Sequence, residues 1–108
     1  MTTPRAYTPE ELREQMLEHI RVMCHYWATL PDKPPQERCE GVAFSILTML
    51  DGMSGGVRFG CTLVAGAHPD DKQFHIAEGD NWVEPGMAIN SDCMLHELFY
   101  PAAAAMAG

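Results

Sequence analysis

The stretch TPEELREQMLEHIRVMCHYWATL, residues 8–30, decides how the fold begins. Thr8 is placed to accept a hydrogen bond from a free helical amide, Pro9 suits the first helical position, and Glu11 completes a capping box. Tyr7 and Leu12 have the spacing of a hydrophobic staple. Leu12, Met16, Ile20, Met23, Trp27 and Leu30 then recur every three or four residues, while Glu10, Arg13, Glu14, Glu18, Arg21 and His25 take the opposite face. The pattern predicts an amphipathic helix over residues 9–29. Pro31-Asp32-Lys33-Pro34-Pro35 ends it, because proline donates no amide and pushes its predecessor toward extended geometry.

A second helix is expected over residues 35–50. Cys39, Val42, Ala43, Phe44, Ile46, Leu47, Met49 and Leu50 lie nearly all round it, which places it in the middle of the fold. Gly41 has no turn residues beside it and marks a close helix–helix approach, so the two helices form an antiparallel hairpin. Asp51-Gly52-Met53-Ser54-Gly55-Gly56 stops the second helix. Residues 57–65 alternate as a strand would, with Phe59, Cys61 and Leu63 on one side and a bulge allowed at Gly60. A short helix is expected over 69–77, ended by Gly79. A hairpin follows, pairing Trp82-Val83-Glu84 with Met87-Ala88-Ile89 through the Pro85-Gly86 turn. One or two helical turns over 93–100 bring Leu95, Leu98 and Phe99 to the core before Pro101. The expected class is α+β: an N-terminal antiparallel helix hairpin packed on a small β-element, with short C-terminal helices.

A chain of 108 residues with 46% apolar content builds one core, so residues 1–108 read as a single domain with flexible tails at 1–6 and 102–108. The N-terminus shows no signal-peptide pattern and no apolar run reaches the ~20 residues that span a bilayer, which predicts a cytoplasmic protein that does not use a membrane. Cys24, Cys39, Cys61 and Cys93 contain no CxxC pair, and Cys24 and Cys39 fall at core-facing helical positions. Free and mostly buried thiols are expected rather than disulfides.

The formal net charge of −8 is uneven. Asp70, Asp71, Glu78, Asp80, Glu84, Asp92 and Glu97 are opposed between residues 68 and 98 by Lys72 alone. Such a segment repels phosphate backbones, which argues against direct nucleic-acid binding and suits a basic protein partner. Imidazoles and carboxylates also ligate divalent metals, and on a helix Asp71, His75 and Glu78 share a face. His68, Asp71, His75 and Glu78, with His96 in reach from the last helix, are therefore the candidate metal set, although the same spacing builds an ordinary solvated stripe. There is no HExxH, EF-hand loop or phosphate-cradling glycine loop, and no cysteine has a local base. No catalytic residue and no cofactor are assigned. Trp27, Trp82, Phe99 and Tyr100 read first as core anchors. Trp82, on a glycine-flanked acidic loop, is the exception: a large aromatic ringed by carboxylates has the make-up of a binding hot spot.

Glu37-Arg38-Cys39-Glu40-Gly41-Val42-Ala43-Phe44-Ser45-Ile46-Leu47-Thr48-Met49-Leu50-Asp51-Gly52, His68-Pro69-Asp70-Asp71, Glu78-Gly79-Asp80-Asn81-Trp82 and Leu95-His96-Glu97-Leu98-Phe99-Tyr100 resemble segments of small phage- and prophage-type proteins. The resemblance covers about residues 35–100 and transfers no catalytic assignment. It implies a context in which small acidic proteins bind and block host proteins, including nucleic-acid-binding defence effectors with basic grooves. The expected function is a non-enzymatic protein-binding domain, an inhibitor contacting its partner through Asp70, Asp71, Glu78, Asp80 and Trp82. The alternatives are a metal-dependent protein using the 68–80 segment and a homodimer that covers the apolar second helix.

Overall fold

The computed structural model describes residues 3–100, which divide into two compact units: residues 3–60 with 95–100, and Cys61–Met94. In the first unit Thr8 starts α1, Pro9–Thr29. The Thr8 hydroxyl accepts the Glu11 amide at 3.2 Å, and the Glu11 carboxylate accepts the Thr8 amide at 2.9 Å. Arg5, within the segment expected to be a tail, forks both Glu11 oxygens at 2.8 and 3.0 Å. That guanidinium and the Thr8 amide hold the Glu11 carboxyl at about 2. The expected stripe Leu12, Met16, Ile20, Met23, Trp27 and Leu30 is half-buried, and the expected polar face is exposed throughout.

After Asp32, which takes the left-handed φ of 60° in the turn, α2 runs over Pro35–Leu50. It packs on α1 and on the short α4, Leu95–Leu98, while α1 and α4 share no packing among the described residues. The central position expected for α2 therefore holds within this unit. Gly41 is buried under Trp27, where a Cβ would come within 2.4 Å of the indole carbons, and the Trp27 Nε1–H donates to the Ser45 hydroxyl at 3.0 Å. The α1 C-terminus has no basic residue of its own. Arg38 supplies one from α2, donating to the carbonyls of Ala28, Leu30 and Lys33 and satisfying carbonyls that a helix end leaves free.

Asp51 ends α2 and starts α4. Its carboxylate, 1% exposed, accepts the Leu95 and His96 amides at 2.9 and 2.8 Å and the His96 Nδ1–H at 2.6 Å. Burial pushes this carboxyl up and is the largest single influence. The hydrogen bonds from the His96 amide, the His96 ring and the Leu95 amide, with the charge of the ring, together bring it below its ordinary value. Gly52, at φ 79°, lets the chain reverse so that its backbone lies against that of Gly60. Met49 and Val57 are the fully buried large side chains of the described residues.

In the second unit α3 covers Asp71–Glu78, close to the expected 69–77. The expected strand over 57–65 and the hairpin of 82–84 with 87–89 do not form, and the described residues hold no sheet, only an isolated antiparallel bridge of Val64 with Ala88. The α+β expectation is thus corrected to a helical architecture. Residues 87–89 do pair, but with 63–65: Ala65 donates to Met87 and Ile89 to Leu63, each at 2.8 Å. The alternation was real, since 59, 61, 63, 65 and 67 are half-buried and the residues between them exposed. The partner of residues 87–89 is 63–65 rather than 82–84, and the pairing stops after one bridge. Two further expectations change. Cys24 and Cys39 are exposed and Cys61 and Cys93 half-buried, none of the four in a disulfide, and Leu98 is 65% exposed while Leu95 and Phe99 are half-buried. Pro101 and the tail at 102–108 lie outside the described residues.

Candidate functional site

Within Cys61–Met94, the turn His68-Pro69-Asp70-Asp71 launches α3 through its own polar groups. Asp71 Oδ2 accepts the His68 amide at 3.1 Å, and His68 Nδ1 accepts the Asp70 amide at 3.2 Å. Asp71 is half-buried in this role, whereas the Asp70 side chain is 92% exposed and lies 3.8 Å from His68 Nδ1. Glu78 and Asp80, on either side of the Gly79 helix stop, are also exposed.

Trp82 is 41% exposed and is met at its ring nitrogen by Glu84 and over its face by Lys72. Its Nε1–H donates to Glu84 Oε1 at 2.8 Å, and Lys72 Nζ lies 5.2 Å from the ring centroid and 3.4 Å from the same carboxylate oxygen. The Trp82 bond, then the Lys72 charge, hold the Glu84 carboxyl below its ordinary range. Lys72, the lone lysine of the acidic segment, is thereby paired with Glu84 at the surface. Asp70, Glu78 and Asp80 are exposed around it. Phe74, Ile76 and Val83 add exposed apolar surface at 61%, 46% and 53%.

The expected contact residues therefore divide. Asp70, Glu78, Asp80 and Trp82 are displayed, and Asp71 is partly spent on the α3 turn. The alternative metal set does not converge: among the described residues no three His, Cys, Asp or Glu side chains form a metal-holding group. His68 turns to the Asp70 amide, His75 packs edge-on to Phe74 with its Nδ1 covered and unbonded, and His96 belongs to Asp51 in the other unit.

Sequence reasoning missed Lys72 and Glu84 as the residues that fix Trp82. The signal was the isolation of Lys72 among carboxylates, since a lone cation in such a segment pairs inward before it pairs outward. It also missed Asn90. The Asn90 side-chain amide accepts the Leu63 amide at 2.9 Å and donates to the Cys61 carbonyl at 2.9 Å, copying the backbone pairing that residues 87–89 offer next door.

In the first unit, His19 Nε2 and the Ser54 hydroxyl share a 3.0 Å hydrogen bond beside Gly56. His19 borders a groove of about 650 Å³ together with Tyr7, Glu14, Glu18 and Val22. Glu14 and Glu18 both pair with Arg21, so this groove shows less unneutralised charge than the 61–94 surface. No helix among the described residues is long and apolar enough to cross a membrane. Comparison with protein-family models, curated proteins and solved structures finds no match to this chain.

Proposed function

We propose that this chain is a non-enzymatic protein-binding domain, a phage-type inhibitor whose 61–94 segment docks on a basic, nucleic-acid-binding host protein. The observation that carries this reading is Trp82: exposed, bonded to Glu84 with Lys72 over its ring, and set in a segment whose Glu78 and Asp80 are exposed. A tryptophan already held in one orientation loses little freedom when a partner covers it, and its large face supplies burial. Asp70, Glu78 and Asp80 attract a basic surface and set the approach, while repelling nucleic acid itself. The resemblance of residues 35–100 to phage-type proteins supplies the biological setting.

The test is capture of host proteins on the tagged chain at low and high salt, with two variants beside it. Trp82→Ala is expected to weaken capture about thirty-fold, the effect of a hot-spot residue of about 2 kcal/mol. Asp70→Lys with Asp80→Lys is expected to abolish the salt-sensitive part while leaving the helical signal unchanged. A captured basic protein that then releases its nucleic acid in a mobility-shift assay would support inhibition. Capture that is the same for both variants and the native chain removes this surface from the account.

A further inference from the structure

The pairing of residues 61–65 is one-sided. Cys61, Leu63 and Ala65 turn their backbone groups toward 86–90 and are satisfied there. The Cys61 carbonyl and the Leu63 amide bond the Asn90 side chain, the Leu63 carbonyl takes the Ile89 amide, the Ala65 amide reaches the Met87 carbonyl, and the Ala65 carbonyl takes the Gly86 amide. In an antiparallel pair the residues between these point their amides and carbonyls the other way. Those residues are Thr62, Val64 and Gly66, all exposed, and their backbone groups have no hydrogen-bond partner among the described residues. A Cβ placed on Gly66 would meet nothing within 4 Å, so the face of the chain at this position is uncovered as well. Natural edges are blunted by lysine, proline or a bulge, and positions 62, 64 and 66 carry none of these.

We infer that the 62–66 edge is a strand-addition site, which takes an extended, basic segment of the partner protein as a neighbouring strand. The inference rests on the docking reading above and adds to it the mode of contact. Main-chain hydrogen bonds to Thr62, Val64 and Gly66 supply affinity without demanding a particular sequence, and Val64, 57% exposed, offers an apolar side chain beside them. Charge decides the occupant. The unit carries Asp70, Asp71, Glu78, Asp80, Glu84 and Asp92 against Lys72, so a second copy brought edge to edge is repelled and a lysine- or arginine-bearing strand is drawn in.

The experiment uses the full chain, isotope-labelled, with a short capped peptide alternating lysine and valine as the probe. Binding is followed by amide shifts and hydrogen exchange at low salt. The expected result is exchange slowed about tenfold or more at Thr62, Val64 and Gly66, with shifts that weaken as salt rises. Val64→Pro removes an outward amide that the internal pairing does not use, at an edge position where proline is tolerated, and is expected to weaken peptide binding about tenfold. Thr62→Pro is the second variant, and retained protection of the Ala65 and Ile89 amides shows that either one is folded.

Peptide binding that shifts Trp82 yet leaves exchange at 62, 64 and 66 unchanged, and is indifferent to both prolines, overturns the edge site while the docking surface stands. No peptide binding at low salt by the folded chain overturns both. Protection of the edge that grows with protein concentration in the absence of peptide assigns the edge to a second copy, and overturns the inference.

Discussion

The helix hairpin and the 61–94 unit are built on different terms. The fully buried residues of the described chain, Gly41, Met49 and Val57, all belong to the first unit, and none of 61–94 is buried. The hairpin is held by apolar surface taken out of water, and its polar ends are closed by side chains from elsewhere in that unit: Arg38 on the end of α1, Asp51 on the start of α4. In the second unit the order comes from hydrogen bonds near the surface, with Val64, Phe74, Trp82 and Met87 left exposed. The half-buried Cys61, Leu63, Ala65 and Ala67 leave these larger apolar groups uncovered.

The sharpest way to break that contrast is at the Trp27–Gly41 contact. Trp27→Ala is expected to cost about 3 kcal/mol, for lost burial, the cavity over Gly41 and the unpaired Ser45 hydroxyl, read as a fall in the thermal midpoint of the helical signal. A negligible change would mean that the hairpin, too, is held by its polar ends alone.

Asp51 comes next. Asp51→Ala removes the acceptor for two amides and an imidazole, and is expected to cost about 2 kcal/mol. The folded carboxyl lies below its ordinary value of 3.8, so its contribution is complete above that pH and disappears as pH falls through the lower folded value. Denaturant unfolding between pH 6 and pH 2, roughly the span over which carboxylates titrate, should show a smaller acid loss for Asp51→Asn than for the native chain. Equal acid slopes would separate the α4 start from Asp51.

The smallest effect is expected at Asn90. Asn90→Ala deletes the two bonds to residues 61 and 63, and is expected to speed amide exchange at Ala65 and Ile89 about five-fold, equivalent to about 1 kcal/mol. An exchange change as large in energy as the loss at Trp27 would show a unit far more tightly built than its exposure implies, and would erase the contrast.

Both long helices were legible because their signals are local. Thr8, Pro9 and Glu11 fix the first turn of α1, and the half-buried stripe follows the spacing of its apolar residues. The role of Gly41 was also readable, because a glycine among helical apolar residues with no turn beside it has few uses besides close approach. The strands were misread for an instructive reason. Period-two alternation reports which side chains share a side, and for Phe59, Cys61 and Leu63, all half-buried, it does so correctly, but it contains nothing about the partner. The acidic residues and Trp82 were readable as candidates for contact, and their division into displayed Asp70 and partly committed Asp71 was not, because it depends on which amide each carboxylate meets.

The two long helices, their stops, the shared side of Phe59, Cys61 and Leu63 and the sign of the charge on the second half were readable from the chain alone, since each follows from residues within a few positions of one another. The tertiary structure alone decided that Asp51 would meet His96 across 45 positions, that Asn90 would stand in for a strand beside Leu63, and that Lys72 and Glu84 would fix Trp82. Hydrogen bonds of that kind need donor and acceptor about 3 Å apart in the right direction, and no spacing along a chain specifies this until the chain has turned back on itself.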